Sequence, residues 1–466
     1  MNRKLLALAV AAAMASPGIA SAEAILYGRA NASLDYADVT NLKFVDPETG
    51  EEVFWTNPAT GQRQYAPYSL VENEEGTVTL RRNLGVDFNG WGMSRSGYIP
   101  GEGRGSRLGV RGSEDLGNGL RAIYQVELGI NLNDTNRNVL SNSDSIAYRN
   151  SFVGLASNWG TFLGGRHDTP LRITTSSLDL FSDTMADYNG TVGFRDLRAD
   201  NVVAYISPEW SGFQLLAAFI PSGGATGGGN GLNLEESDLA STYSIGAVYR
   251  NGPFHVSAGF ENLYNEHFNT QAVALQGNNC PVQDPPAGER DPTDPFELSC
   301  DYQDSDAQAY RFGLGLLDWN GFTVTAVYEN QDQFNNDRYV GSTDPADPAN
   351  SFLLPYGPKE ADLWQIQAGY AFGSSMVKAM YGQGDYSGND IVAGGNWISI
   401  NGGPEFLELT RKGYDYDTST WAIGFDHNFS RRTTAYVLYT DVDSDLDEIA
   451  TGSSWSGFSL GMTHRF

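Results

Sequence analysis

The chain has 466 residues with 29 basic against 57 acidic side chains, a formal charge of -28 that excludes a surface built for nucleic-acid phosphates. Mean hydropathy is -0.35, and beyond the first residues no run reaches the roughly 18 apolar residues of a membrane helix. A helical membrane bundle is therefore excluded. A barrel is not, because a membrane strand needs only about 9 to 11 residues, alternately apolar and polar.

The chain opens on Met1-Asn2-Arg3-Lys4, an apolar run from Leu5 to Met14, and then Ser16-Pro17-Gly18-Ile19-Ala20-Ser21-Ala22. These are the three regions of a secretory signal peptide, with cleavage expected after Ala22. The alternative, a membrane anchor, lacks the required length. Residues 1–22 are thus read as a leader and 23–466 as one domain. Losing Arg3 and Lys4 takes the formal charge to about -30.

From residue 24 onward the sequence repeats one grammar: an alternating segment, a short turn, another alternating segment, then a longer polar stretch. The 54 glycines and 12% aromatic residues suit strands and turns. Seven short turns fall at 114–119, 157–160, 208–212, 251–253, 318–321, 372–374 and 429–432. Eight longer connections run Val39 to Gly105, Leu132 to Tyr148, His167 to Asp200, Pro221 to Ala240, Asn265 to Asp306, Asp332 to Ala361, Asp385 to Asp417 and Val442 to Ser453. They join sixteen strands. The expected fold is all-β, a sixteen-stranded antiparallel transmembrane β-barrel with short periplasmic turns and long extracellular loops.

Period 2 assigns the faces. In the first strand Tyr27, Arg29, Asn31, Ser33 and Asp35 should face a wet lumen, and Leu26, Gly28, Ala30, Ala32 and Leu34 should face lipid. In Leu120 to Asn131 the lipid set is Leu120, Ala122, Tyr124, Val126, Leu128 and Ile130. The last strand puts Phe458, Leu460, Met462, His464 and Phe466 on one face. Trp159, Trp210, Trp319, Tyr328 and Tyr439 near strand ends are expected to form interfacial girdles.

The only cysteines, Cys280 and Cys300, lie in a Pro- and Asp-rich stretch of an exported chain and are expected to form one loop disulfide, two free thiols being the alternative. Asp441 to Glu448 has the alternating carboxylates of a calcium loop, but Leu446 stands where the required glycine would be. The five histidines show no metal spacing, and G-x-S-x-G and HExxH elements are missing. Gly382 and Gly384 form only a lone G-x-G. No enzyme, metal or cofactor is expected.

The blocks Leu26-Tyr27-Gly28, Ser106-Arg107-Leu108-Gly109-Val110-Arg111-Gly112-Ser113-Glu114-Asp115-Leu116-Gly117-Asn118-Gly119-Leu120, Arg149-Asn150-Ser151-Phe152-Val153-Gly154-Leu155 and Gly165-Arg166-His167-Asp168-Thr169-Pro170, with the ending Gly461-Met462-Thr463-His464-Arg465-Phe466, resemble the general porins of β- and γ-proteobacteria. The resemblance implies a homotrimer of barrels in the outer membrane, an inward-folded third loop narrowing each pore, and Phe466 as an assembly signal. The first connection is long for that family, and its alternating piece Val78 to Asn89 could form an extra hairpin.

A channel selects at its narrowest ring. The third loop, His167 to Asp200, is net acidic, and Asp179, Asp183 and Asp187 are its candidate pore-facing carboxylates. Period 2 points Arg29, Arg107, Arg111, Arg121 and Arg166 inward as an opposing basic wall. The alternative is that these arginines pair structurally within the lumen. The expected function is passive diffusion of small hydrophilic solutes and ions, with a mild cation preference from the acidic outer loops. A sugar- or organic-acid-selective pore, or an adhesion or receptor barrel, are the competing readings. The expected lipid partner is lipopolysaccharide, bridged by divalent cations.

Overall fold

The computed structural model describes residues 23–56, 63–65, 68–72, 78–93, 105–130, 132, 146–221, 242–263, 307–332, 338–342, 351–355, 360–387, 391–400, 403–411, 415–445 and 453–466; of these, residues 54–56, 63–65, 68–72, 78–82, 338–342, 351–355, 391–400 and 403–411 are described by backbone alone. The leader and both cysteines lie outside the described residues.

Sixteen strand positions close into one antiparallel barrel. In chain order they are β1 (Glu23–Val45), β2 (Leu84–Met93 and Arg107–Gly117), β3 (Leu120–Ile130), β4 (Ile146–Ser157), β5 (Gly160–Asp168), β6 (Arg198–Ile206), β7 (Phe213–Phe219) and β8 (Tyr243–Asn251). The second half comprises β9 (Phe254–Leu263), β10 (Ala307–Trp319), β11 (Phe322–Asp332), β12 (Glu360–Phe372), β13 (Ser375–Ser387), β14 (Tyr416–Asn428), β15 (Thr433–Ser444) and β16 (Trp455–Arg465). Each pairs with its sequence neighbour, and β16 closes the seam on β1 from Arg29↔Arg465 to Val39↔Trp455. Closure leaves no unpaired sheet edge in lipid.

The seven short turns fall where the sequence puts them. Asn118 and Gly119 have φ of 53° and 76°, and Asn320 and Gly321 have 52° and 88°. Both pairs thus adopt the left-handed conformation that two-residue hairpins require and that Asn-Gly accepts most readily.

The first long connection differs from expectation. Val78–Arg82 does pair in a hairpin with Tyr68–Glu72, but Leu84–Met93 is the outer half of β2, paired with Leu34–Val45 of β1. The inner half of β2, from Arg107 onward, pairs with Glu23–Arg29. At the junction the hydroxyl of Ser106 stands in for a strand neighbour: it accepts from the Asn31 amide at 2.9 Å and donates to the Asn31 carbonyl at 2.9 Å. A side chain thereby satisfies backbone groups that the broken ladder leaves open.

Alternation sorts the faces. Leu460 is 53% exposed on the outer surface, whereas its neighbour Ser459 is 1% exposed and donates to Asp35 at 2.6 Å inside. Trp159, Trp210 and Trp319 stand exposed at the short-turn rim, and Tyr328 at the long-loop rim. Trp421 and Tyr439 pack together there with ring centres 5.3 Å apart.

Candidate functional site: the lumen and its third loop

Between β5 and β6 the chain folds into the barrel and carries two short helices, α1 (Pro170–Thr175) and α2 (Tyr188–Thr191). Its underside is apolar: Leu171, Leu178, Phe181, Met185, Val192 and Phe194 are all buried. The wall beneath is planed flat by inward glycines. A Cβ on Gly246 of β8 would stand 2.6 Å from Thr174, one on Gly313 of β10 2.6 Å from Leu178, and one on Gly457 of β16 2.4 Å from Met185. Gly259, Gly369, Gly382 and Gly424 likewise face Leu171, Leu180, Val192 and Phe181. The loop sits where side chains have been removed to admit it.

A loop lying on a wall must satisfy its own amides. Here lumen-facing polar side chains do so: Thr325 donates to the Leu178 carbonyl (2.8 Å), Lys378 to Leu180 (2.7 Å), Tyr386 to Val192 (2.8 Å) and Gln331 to Gly193 (3.1 Å), while Gln367 accepts from the Leu180 amide (2.6 Å). Arg311 of β10, 0% exposed, is the hub. It pairs with Glu329, reaches Asp196 at 2.6 Å and donates to the Arg195 carbonyl at 2.7 Å and to Thr175 at 3.1 Å.

The opposite wall is basic. Arg29 pairs with Asp183 at the tip of the loop, and Arg107 approaches the same carboxylate at 3.5 Å. Asn31 fixes the tip by donating to the Asp183 carbonyl at 2.8 Å. Arg111 lies 5.0 Å over the ring of Tyr27, whose hydroxyl donates to Glu127 at 2.9 Å. Arg166 pairs with Asp200 at 2.7 Å, beside a bulge between Gly165 and His167. Arg121 lies toward the short-turn rim, opposite Asp115, and is exposed. The structure thus brings Arg29, Arg107 and Asp183 together, with Arg111 one step below, and keeps Arg121 apart.

Asp179 and Asp187 face inward along the loop. Asp179 accepts from Gln367 (2.8 Å) and the amides of Phe181 (2.9 Å) and Tyr188 (3.4 Å). Asp187 accepts from the amides of Asp183 (2.8 Å) and Asn189 (3.0 Å), capping α2. Burial pushes the Asp179 carboxyl up to about 6 against those hydrogen bonds, and burial followed by the Asp179 charge raises Asp187 as well. A raised value means the stabilisation is complete below the ordinary carboxylate range and is lost as pH rises through about 6.

The sequence reading passed over several cations. Arg149 pairs with Glu127 at 2.6 Å, Arg198 with Asp168 at 2.8 Å, and Arg172 lies 3.4 Å from Asp168 and 3.6 Å from Asp196. Arg311 was legible as a lone charge in phase with Ala309 and Gly313, both of which face inward. Two wet recesses flank the narrowing. One, of about 440 Å³, is lined by Arg149, Arg166, Arg172 and Arg198 against Asp179, Asp183, Asp187 and Asp196. The other, about 430 Å³, is lined by Tyr27, Arg29, Arg107, Glu127, Arg149 and Arg465, with Phe466 at its edge.

A family model described as Gram-negative porin matches residues 7–447. This chain belongs to the Gram-negative porin family. An outer membrane porin protein of Bordetella pertussis is 32% identical over 176 residues, 36% of this chain and 45% of the relative. That match, like those to two major outer membrane proteins P.IB of Neisseria gonorrhoeae at 42% coverage, spans less than half the length of the relative. The major outer membrane protein P.IA of Neisseria meningitidis is 24% identical over 382 residues, 78% of this chain and 81% of that one. An anion-selective porin from Comamonas acidovorans superposes with a TM-score of 0.52 at 16% identity, covering 96% of this porin and 100% of the other, and shares its fold. The porin is an outer-membrane β-barrel.

Proposed function

We propose that this porin forms a water-filled channel through which small hydrophilic solutes and ions diffuse passively, filtered by charge rather than by a reaction. The observation that carries the reading is the third loop: it is pinned inside the barrel, its tip is held on the basic wall by the Arg29–Asp183 ion pair, and the recess beside it sets Arg149, Arg166 and Arg198 against Asp179, Asp183 and Asp187. Opposed charges on a narrow ring set a transverse field that orients dipolar solutes and disfavours apolar ones. The working unit is a homotrimer, with Phe466 as its assembly signal. Its ring lies on Gly28, where an added Cβ would meet it at 2.4 Å, and its amide and carbonyl pair with Gly28 across the seam at 3.1 and 3.0 Å. Residues 1–22 act as the cleaved leader, and lipopolysaccharide is the surrounding lipid.

Planar-bilayer recording of the purified protein tests this. Conductance is expected in groups of three equal steps, rising linearly with salt, with a reversal potential displaced toward cations. Absence of conductance would overturn the channel, and saturable block by one sugar or organic acid would replace general diffusion by selective transport.

A further inference from the structure

The ladder between β1 and β2 skips one stretch of the wall. Pairing runs outward as far as Arg29↔Arg107 and resumes at Leu34↔Met93, and Asn31 lies in the interval. A side chain holds its backbone instead. The Ser106 hydroxyl accepts from the Asn31 amide and donates to the Asn31 carbonyl, both at 2.9 Å, and the Ser106 carbonyl accepts from the Ile130 amide of β3 at 2.9 Å. Ser106 is therefore anchored to both neighbouring strands, and it is buried.

Asn31 is also the residue that ties the tip of the third loop to the wall. Its Nδ2 donates to the Asp183 carbonyl at 2.8 Å, while its Oδ1 accepts from the hydroxyls of Tyr436 of β15 at 3.3 Å and Thr463 of β16 at 3.2 Å. With two hydroxyl donors on the oxygen, only the amino group is left to meet an acceptor, so the amide has one orientation. The neighbour of Ser106 is fitted to it. A Cβ on Gly105 would stand 2.6 Å from Asn31 Nδ2, so any larger residue there would push the amide from the carbonyl it holds. We propose that Gly105-Ser106 is a positioning element of the charge filter: it sets Asn31, Asn31 sets the tip of the third loop, and Asp183 is thereby kept against Arg29 and Arg107. The interruption of β2 is then part of the filter. A displacement at Ser106 reaches the tip through two hydrogen-bonded steps, which couples the end of the first long connection to the passage. The proposal rests on the channel reading above.

Single-channel recording and reversal potentials of the purified porin in asymmetric KCl test it. Ser106→Ala removes the hold on the Asn31 backbone; open-channel current noise is expected to rise roughly threefold and the cation-to-anion permeability ratio to fall roughly twofold, because Arg29 and Arg107 keep their counter-charge less steadily. Gly105→Ala leaves the hydrogen bonds of Ser106 in place and should move both quantities in the same direction. The decisive comparison uses a second background. In Asn31→Ala the link to the tip is already cut, so adding Ser106→Ala should change neither quantity further. Full additivity there would show that Ser106 only seals the wall, and it would overturn the proposal, as would a native-like channel in Ser106→Ala. If Ser106→Ala does not assemble, a native-like Gly105→Ala overturns it equally. A protein that conducts with these variants silent defeats only this inference, whereas one that never conducts defeats the channel itself.

Discussion

The two walls of the barrel use the same side chains for opposite purposes. On the β9–β14 wall, Arg311, Glu329, Gln367 and Lys378 are spent on the backbone and acids of the third loop. On the β1–β4 wall, Arg29, Arg107 and Arg149 line an open recess, and Asp183 reaches Arg29 and Arg107 from the loop tip. Burial makes the difference. Arg311 is 0% exposed and its removal strands two acids in protein, whereas Arg107 is 26% exposed and water shares its charge. The first wall fixes where the loop is, and the second fixes what a solute meets.

Breaking the first wall should have the largest effect. Arg311→Met leaves Glu329 buried without its guanidinium and Asp196 with only the more distant Arg172 at 3.6 Å, at a cost of about 3–5 kcal/mol, and should turn steady conductance into noisy, enlarged openings. Thermal unfolding and single-channel variance measure the two consequences. Adding Glu329→Met should recover much of the stability, because a buried pair is costly to halve and much less so to remove. A quiet, native-like channel in Arg311→Met would show that the apolar underside alone holds the loop.

The second effect is smaller and steric. Gly246→Val would drive a methyl against Thr174 and toward the Pro170 carbonyl, which stand 2.6 and 3.2 Å from a mere Cβ. Overpacking of this kind costs about 1–3 kcal/mol and should lift α1 from β8. Unfolding midpoint and step conductance are expected to change together. An altered midpoint with unaltered conductance would place α1 outside the narrowing.

These glycines also mark where sequence reading stops. Strand number, turns and faces follow from period 2 and from Asn-Gly chemistry, which act within a few residues. The inward glycines carry the same alternation as any lumen residue, and their meaning depends on Leu171, Leu178 or Met185 arriving from far along the chain. The split in β2 was hidden for a related reason. Val78 to Asn89 keeps one apolar phase on both sides of Arg82, yet its first part pairs with Tyr68–Glu72 and its second with β1. Arg29 and Arg107 were legible because they sit in regular strands, whereas Arg172 and Arg198 lie at the roots of the loop, where no period assigns a face. Composition counted Asp179, Asp183 and Asp187 as equals; hydrogen bonding separates one that faces arginines from two that hold the backbone.

The finest test touches charge alone. Asp183 has φ of 59°, a left-handed conformation that asparagine tolerates, so Asp183→Asn should leave the tip in place with Asn31 still bound to its carbonyl. Arg29 and Arg107 then lose their shared counter-charge. Stability should fall by about 1 kcal/mol while the cation-to-anion ratio drops roughly threefold at neutral pH. Arg121→Gln is the matched control: exposed and remote from the tip, it should move neither quantity. If Arg121→Gln shifted selectivity as much as Asp183→Asn, the filter would be spread along the whole basic wall. A response confined to Asp183 would instead place it where the loop tip meets Arg29 and Arg107.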